Sequence, residues 1–489
     1  MLENIEIIPK IEINSKEILA LVYTPSVAKS SLEIKDNLDR VFDLTNRSNS
    51  IAVISNDYKT SLRRAIHLKR KYALDAYPLE IKDCSSEELE FVIDNIMPNF
   101  MGVDKVLIEG GEYDADCDIP TQSKNCFIQN PEELEPVKLR EIFGGVIETK
   151  IYIQNEDKIR KPVAVLSDGS AVLGLGNIGA EAGLPVMEGK ATLFKSIANV
   201  DAMPLCVRTQ IPDEIIKIAD LLENSFSGIN LEDISAPRCF EIEEKLIEKL
   251  NIPVFHDDQH GTAIIVSAGV LNALKVVGKE LENIKIVMSG AGAAGCAICK
   301  QLLRLGAKNI TMFDINGIVR ANRPQNDQYL EQLALKTNLE NKNCTLSETL
   351  IGADVFIGVS KGGILNPEWV KNMAQNPVIF ALANPTPEIM PDVALTSGAK
   401  IVATGRSDFP NQINNSLVFP GLFRGVIDSG LQKITDDIKI LASISVASMV
   451  SEDELDEEYI IPDALNKDVA KNISACIIEY VRNPNTHTY

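Results

Sequence analysis

Ile284-Lys285-Ile286-Val287-Met288-Ser289-Gly290-Ala291-Gly292-Ala293-Ala294-Gly295 reads as a strand-like apolar run leading straight into a glycine-rich turn and the start of a helix. The glycine spacing carries weight because of that setting. Gly290 suits the tight turn, Gly292 allows a pyrophosphate close to the backbone, and Gly295 lets helix and strand pack. Ala293 and Ala294 open the helix whose N-terminal N–H groups would face the phosphates. The next strand-like run, Asn309–Phe313, ends on Asp314, 24 residues beyond Gly290. An acid there accepts hydrogen bonds from an adenosine ribose diol and repels a 2′-phosphate. Ile315 and Asn316 bring no cation for that phosphate, so NAD is expected over NADP.

Outward from this unit, strand-like runs alternate with helical patterns from about residue 50 to 430: Ile51–Ser55, Val163–Ser167, Val355–Gly358, Val378–Ala381 and Lys400–Ala403. Such alternation implies an α/β fold with parallel sheets. A helix from Thr262 to about Val277 separates two blocks. After Gly421 the pattern is mostly helical, broken by an acidic stretch, Ser451–Glu458, expected to be an exposed loop. The reading is a two-domain α/β protein: a parallel-sheet substrate domain and a Rossmann-like NAD-binding domain. Its expected parts are 1–57 (helical start of the substrate domain), 58–161 (an α/β insert), 162–260 (substrate and metal), 261–440 (NAD) and 441–489 (C-terminal helices).

The insert looks like a degenerate repeat. Ala52-Val53-Ile54-Ser55-Asn56-Asp57 echoes Ala164-Val165-Leu166-Ser167-Asp168-Gly169, and Asp75-Ala76-Tyr77-Pro78-Leu79 echoes Asp201-Ala202-Met203-Pro204-Leu205. At that offset of 126, Val106 and Leu107 stand where the second copy has Glu232 and Asp233. The first copy keeps the scaffold pattern without the acids, so it is expected to dock, dimerise or regulate.

Bulk composition narrows the partners. At 489 residues the chain can hold two or three cores. A charge of 48 − 69 = −21, spread along the chain, argues against nucleic acid or an anionic membrane. No signal-like start is evident and no apolar run approaches a membrane span, so a cytoplasmic protein is expected. Nine scattered cysteines fit a reducing compartment. Cys296-x-x-Cys299 falls on the helix after the glycine loop and reads as packing.

The chemistry gathers at two acidic pairs. Glu232-Asp233 closes the run Phe226–Leu231, and Asp257-Asp258 closes Pro253–His256 just before Gly261 and a long helical pattern. Hard divalent cations take several carboxylate oxygens and leave positions for substrate. His256 and His260 flank the second pair, but in so oxygen-rich a set they are expected to cap or orient rather than bind zinc. Gly174-Leu175-Gly176-Asn177-Ile178-Gly179 also fits the glycine spacing. No acidic strand end follows it, so it is read as shaping backbone around substrate. Lys190 stands at the start of a helical pattern, Ala191–Asn199, where a nearby cation and a helix N-terminus would favour a general base.

Leu175–Gly179 with Pro185-Val186-Met187-Glu188-Gly189-Lys190, the Ile229–Glu241 segment, Phe255–Thr262, Gly290–Gly295, Asn384-Pro385-Thr386 and Phe419-Pro420-Gly421 together resemble the malic enzyme family in its compact bacterial and archaeal branch. The resemblance covers roughly 17–56 and 162–440. It implies Tyr23 as proton donor, Lys190 as general base, Asp257 as the acid that orients it, and Glu232, Asp233 and Asp258 as ligands of Mg²⁺ or Mn²⁺. It further implies that Asn384 and Asn415 hold the substrate carboxylate and the cofactor. The implied reaction is oxidative decarboxylation of (S)-malate to pyruvate and CO2 with NAD, in a homodimer or larger homo-oligomer. A malolactic enzyme, or a non-catalytic paralogue that senses malate or NAD, is the alternative. Three departures stand out: Ser26 where many members carry Gly, Lys361-Gly362-Gly363 in place of a small-Pro-Gly turn, and Ala171-Val172 where larger members place an arginine on malate. Arg238 is a weak candidate to replace that cation.

Overall fold

The computed structural model describes residues 2–23, 27–106, 146–154, 159–172 and 174–483. The Ser26 and Leu107 readings lie outside the described residues. The chain divides into two compact units, Met1–Ile234 with Glu241–Phe255 and Leu431–Lys433, and Ser235–Phe240 with His256–Gly430 and Ile434–Tyr489.

The first unit opens with strand β1 (Leu2–Pro9), so the N-terminal part is not purely helical. Helices α1 (Lys16–Val22) and α2 (Val27–Asp36) follow. Strand β2 (Ser50–Ser55) leads through α3 (Tyr58–Tyr72), β3 (Asp75–Glu80) and α4 (Ser86–Ile96) to β4 (Gly102–Lys105). Local chemistry marks the helix starts. Asp57 accepts from the Thr60 N–H at 2.8 Å, and Ser85 with Glu88 forms a capping box. The three strands pair in parallel in the order β3-β2-β4.

A second block runs β6 (Val163–Ser167), α5 (Gly179–Ala198), β7 (Ala202–Cys206), α6 (Pro212–Leu221) and β8 (Gly228–Leu231). Its order is β7-β6-β8, with β9 (Val254–His256) beside β8. Both blocks place their first strand between the next two, and β4 and β8 start 126 residues apart. Two expected boundaries differ. A cut at 57/58 separates β2 from the strands it pairs with, so the first block starts at Ser50. Strand β5 (Ile147–Gln154), expected inside the insert, pairs antiparallel with β1 along its whole length, from Leu2↔Gln154 to Pro9↔Ile147.

Helix α7 (Arg238–Lys249) precedes β9. In the second unit α8 (Asp257–Val277) starts five residues earlier than the expected Thr262, which puts the acidic pair in its first turn. By length and composition α8 could cross a membrane, contrary to the expectation that no run comes close; here it packs as a buried core helix. The sheet runs β12-β11-β10-β13-β14-β15: β10 (Lys285–Ser289), β11 (Asn309–Asp314), β12 (Gly317–Ile318), β13 (Val355–Gly358), β14 (Val378–Ala381) and β15 (Ile401–Thr404). All pairs are parallel except the short edge β11–β12. The order reverses between β10 and β13, the place where such sheets open a crevice for ligand. Helix α9 (Ala293–Arg304) follows β10. Helix α12 (Lys467–Arg482) packs on both α10 (Phe419–Ser429) and α11 (Asp436–Ala447), and α11 packs on α8. The C-terminal helices therefore belong to this unit and are no separate part. Residues 451–458 are largely exposed and carry no regular element, as expected.

Candidate active site

Glu232 and Asp233 follow directly on β8. Glu232 is 2% exposed. One of its oxygens forms an ion pair with Lys190 Nζ and accepts from Asn230 Nδ2 at 3.0 Å. The other accepts from the Tyr23 hydroxyl at 3.4 Å. Lys190 is fully buried. A charge so placed needs a partner, because desolvation would otherwise neutralise it. Lys190 stands in the middle of α5, eleven residues beyond Gly179, so the expected helix N-terminus does not act on it. Tyr23 is the C-cap of α1, 4% exposed. Gly189 makes this meeting possible, since a Cβ there would lie 2.2 Å from the Val22 carbonyl oxygen. Asp233 takes φ 54°, and its carbonyl accepts from the Ala171 N–H at 2.9 Å, tying the turn after β6 to the acidic pair.

Asp257 and Asp258 occupy the first turn of α8, where the helix dipole favours negative charge. His256 is the N-cap; its Nδ1 accepts from the Gln259 N–H at 3.3 Å. Its Nε2 lies 3.9 Å from Asp258, beyond hydrogen-bond reach. The ring thus caps α8. Asp257 accepts from Asn415 Nδ2 at 2.6 Å, and Gly261 leaves room for its carboxylate, since a Cβ there would fall 1.8 Å from it. Strands β8 and β9 are neighbours in one sheet, and an acidic pair follows each. Glu232 and Asp233 at the end of β8 and Asp258 in the first turn of α8 each offer carboxylate oxygens. Hard oxygen donors of this kind suit a divalent cation.

The nucleotide turn has the geometry its glycines predict. Gly290 takes φ 114°, and a Cβ on Gly295 would sit 2.0 Å from the Gly290 carbonyl oxygen. Gly292 is the N-cap of α9, and nothing stands within 4 Å of where its Cβ would be. Ala293 and Ala294 start the helix. The backbone fits a pyrophosphate. Asp314 ends β11 and meets a cation the sequence reading missed: Arg323 pairs with both its oxygens, one contact at 2.8 Å. Arg323 comes nine residues later with no motif around it, so spacing alone gave no signal. Asn230 could have been found, because residues two apart on a strand share a face with Glu232.

Asn384 is exposed, next to Gly405. Arg406 and Asp408 form an exposed ion pair at 2.7 Å. Arg238 donates to Ser235 Oγ at 2.9 Å. Burial pushes the Cys296 thiol up to about 12 and Cys299 higher still, which suits packing and not thiolate chemistry.

Known proteins agree with this layout. The domain described as "Malic enzyme, N-terminal domain" matches residues 144–247, and "Malic enzyme, NAD binding domain" matches 259–482. An NAD-dependent malic enzyme of Geobacillus stearothermophilus is 53% identical over 320 residues, covering 65% of this chain and 67% of that protein. A bifunctional malic/malolactic enzyme of Bacillus subtilis is 53% identical over 316 residues, covering 64% and 77%. The crystal structure of NAD-dependent malic enzyme from Thermotoga maritima is 37% identical, with TM-score 0.62, covering 96% of this chain and 94% of that one. Residues before 144 lie outside both matched domains, and the first match starts inside the expected insert. With its Rossmann-like NAD-binding domain and its parallel-sheet N-terminal domain, the chain belongs to the malic enzyme family.

Proposed function

We propose that the protein oxidises and decarboxylates (S)-malate to pyruvate and CO2, with NAD as hydride acceptor and Mg²⁺ or Mn²⁺ held by Glu232, Asp233 and Asp258. The observation that carries the reading is the buried group at the end of β8, where Lys190 and Tyr23 both meet Glu232. When bound, the cation supplies Lewis acidity at the substrate's carboxylate and C2 oxygen, and the nicotinamide takes the hydride. Lys190 in this reading takes the C2 hydroxyl proton, and Asp257 with Asn415 orients the approach. After CO2 leaves, Tyr23 returns a proton to C3. Burial of Lys190, Tyr23 and Glu232 keeps bulk water from that proton.

The test is formation of reduced nucleotide from malate, with and without Mn²⁺, comparing NAD and NADP. Lys190→Ala and Asp258→Ala should each lower kcat by roughly a thousandfold or more while the protein stays folded. Near-normal turnover in either would remove its role. A malolactic outcome, with lactate in place of pyruvate, is the second reading, supported by the name of the Bacillus subtilis relative; product analysis by NMR separates the two. NADP use is supported by the relative named as an NADP-dependent malic enzyme in Halomonas elongata, 44% identical, and by Arg323 beside Asp314.

A further inference from the structure

Glu188 is a buried carboxyl that the proposed reaction does not use. It lies on α5 two residues before Lys190, and residues two apart on a helix point to different faces. Its Oε1 accepts from the Asn46 N–H at 2.6 Å and its Oε2 from the Val146 N–H at 3.3 Å. Asn46 comes four residues before β2, the start of the first α/β block, and Val146 directly precedes β5, where the matched family domains have begun. The two amides flank the added part of the chain, and Glu188 joins both to the helix of the proposed base.

Other contacts make this joint a built one. Lys10 donates its backbone N–H to the Val146 carbonyl at 2.8 Å and its Nζ to Asn46 Oδ1 at 3.3 Å. Asn46 Nδ2 donates to the Tyr77 hydroxyl on β3 at 3.3 Å, and Thr192 Oγ donates to the Glu188 carbonyl at 3.0 Å. Asp75 on β3, which takes Lys69 Nζ at 2.7 Å and the Thr149 N–H at 2.8 Å, faces the same cluster.

We propose that Glu188 is a positioning residue: its carboxylate holds the two ends of the added α/β block and thereby fixes the helix that presents Lys190. This rests on the reading of Lys190 as general base. Charge is required of Glu188, because each oxygen faces an N–H and the carboxylate is the stronger acceptor. Desolvation pushes this carboxyl up to about 7, opposed by the Asn46 and Val146 amides and by Lys10, and reinforced by Asp75. Tyr77 on β3, Glu148 on β5 and Cys206 on β7 are the other titratable groups close by.

The experiment is the kcat–pH profile of malate oxidation in the full-length protein, for wild type, Glu188→Gln and Lys190→Ala. Glu188→Gln keeps the shape but points an amide donor at one of the two N–H groups. Its kcat should fall at least about tenfold, with the KM for NAD within twofold. On the acid side, wild type needs Glu188 deprotonated, so its log kcat should fall with a slope one unit steeper than that of Glu188→Gln. Wild-type kcat or an unchanged acid slope in Glu188→Gln would overturn the proposal, even if the melting temperature drops. If Glu188→Gln does not fold, Glu188→Asp keeps the charge and loses reach, so kcat should fall with the wild-type acid slope retained; unchanged kcat there is equally fatal. Full activity in Lys190→Ala would instead sink the general-base reading, which separates the two failures.

Discussion

Asp314 and Arg323 show how one side chain can change what a motif means. An acid ending the second strand of a dinucleotide fold ordinarily selects the ribose diol against a 2′-phosphate. Here Arg323 is 6% exposed and donates to both Asp314 oxygens, with further donation to the Gly317 and Ile318 carbonyls at 3.3 Å. The pair offsets the repulsion that Asp314 alone would exert on a phosphate, and its guanidinium is the cation the residues next to Asp314 lack. Arg323→Ala should leave the acid uncompensated. The expected result is at least a roughly tenfold rise in the ratio of kcat/KM for NAD over NADP, driven by loss of NADP use, as about 1.4 kcal/mol of added repulsion would give. An unchanged ratio in steady-state assays would reduce Arg323 to a brace for the turn after β11.

At the scale of elements, the parts legible in sequence were those with a backbone requirement. Gly290 needs its φ of 114° and Gly295 its contact with the Gly290 carbonyl, so the nucleotide turn could be read from spacing. Asp257-Asp258 and Glu232-Asp233 were legible because acids at strand ends have few structural uses in such number. The start of α5 was not. Gly183, Pro185 and Gly189 look like breakers, yet all three are buried inside the helix, where tertiary packing overrides propensity. Strand β1 was hidden for another reason: its partner β5 lies about 145 residues away, and no local pattern reports such a pairing. Gly189 is the sharpest case, a poor helix former kept by contact with α1. Gly189→Ala would set a methyl 2.2 Å from the Val22 carbonyl, so α1 must retreat and take Tyr23 with it. Overpacking of this kind costs about 1–3 kcal/mol, which a folded protein can survive. Deuterium exchange at C3 of pyruvate, followed by NMR with Mn²⁺ present, should slow at least a hundredfold, because that step needs the proton donor in place. Exchange at the wild-type rate would mean that Tyr23 is not the donor.

For the whole molecule, the acids divide into two classes with opposite effects on stability. Glu88 at the start of α4 lies near the surface, and its cap hydrogen bonds with Ser85, helped by Lys217, hold it down at about 2, so its contribution is present at neutral pH and lost on acidification. Glu188 and Glu388 are buried and Asp201 is half-buried, and desolvation raises all three. A raised carboxyl binds its proton more tightly in the folded chain than in the unfolded one. Its contribution is therefore greatest below the ordinary value and is lost as pH rises through the folded one. For Glu188 that window runs from 4.5 to about 7. Glutamine at 188 cannot titrate, so the melting temperature of wild type minus that of Glu188→Gln should shrink steadily from pH 4.5 to 7 and level off above. The same carboxyl would then cost stability in the pH range where it serves the reaction, a trade expected of a charged group kept for position. A difference independent of pH across that window, measured by calorimetry at constant ionic strength, would mean that Glu188 stays ionised throughout and that the Asn46 and Val146 amides outweigh its burial.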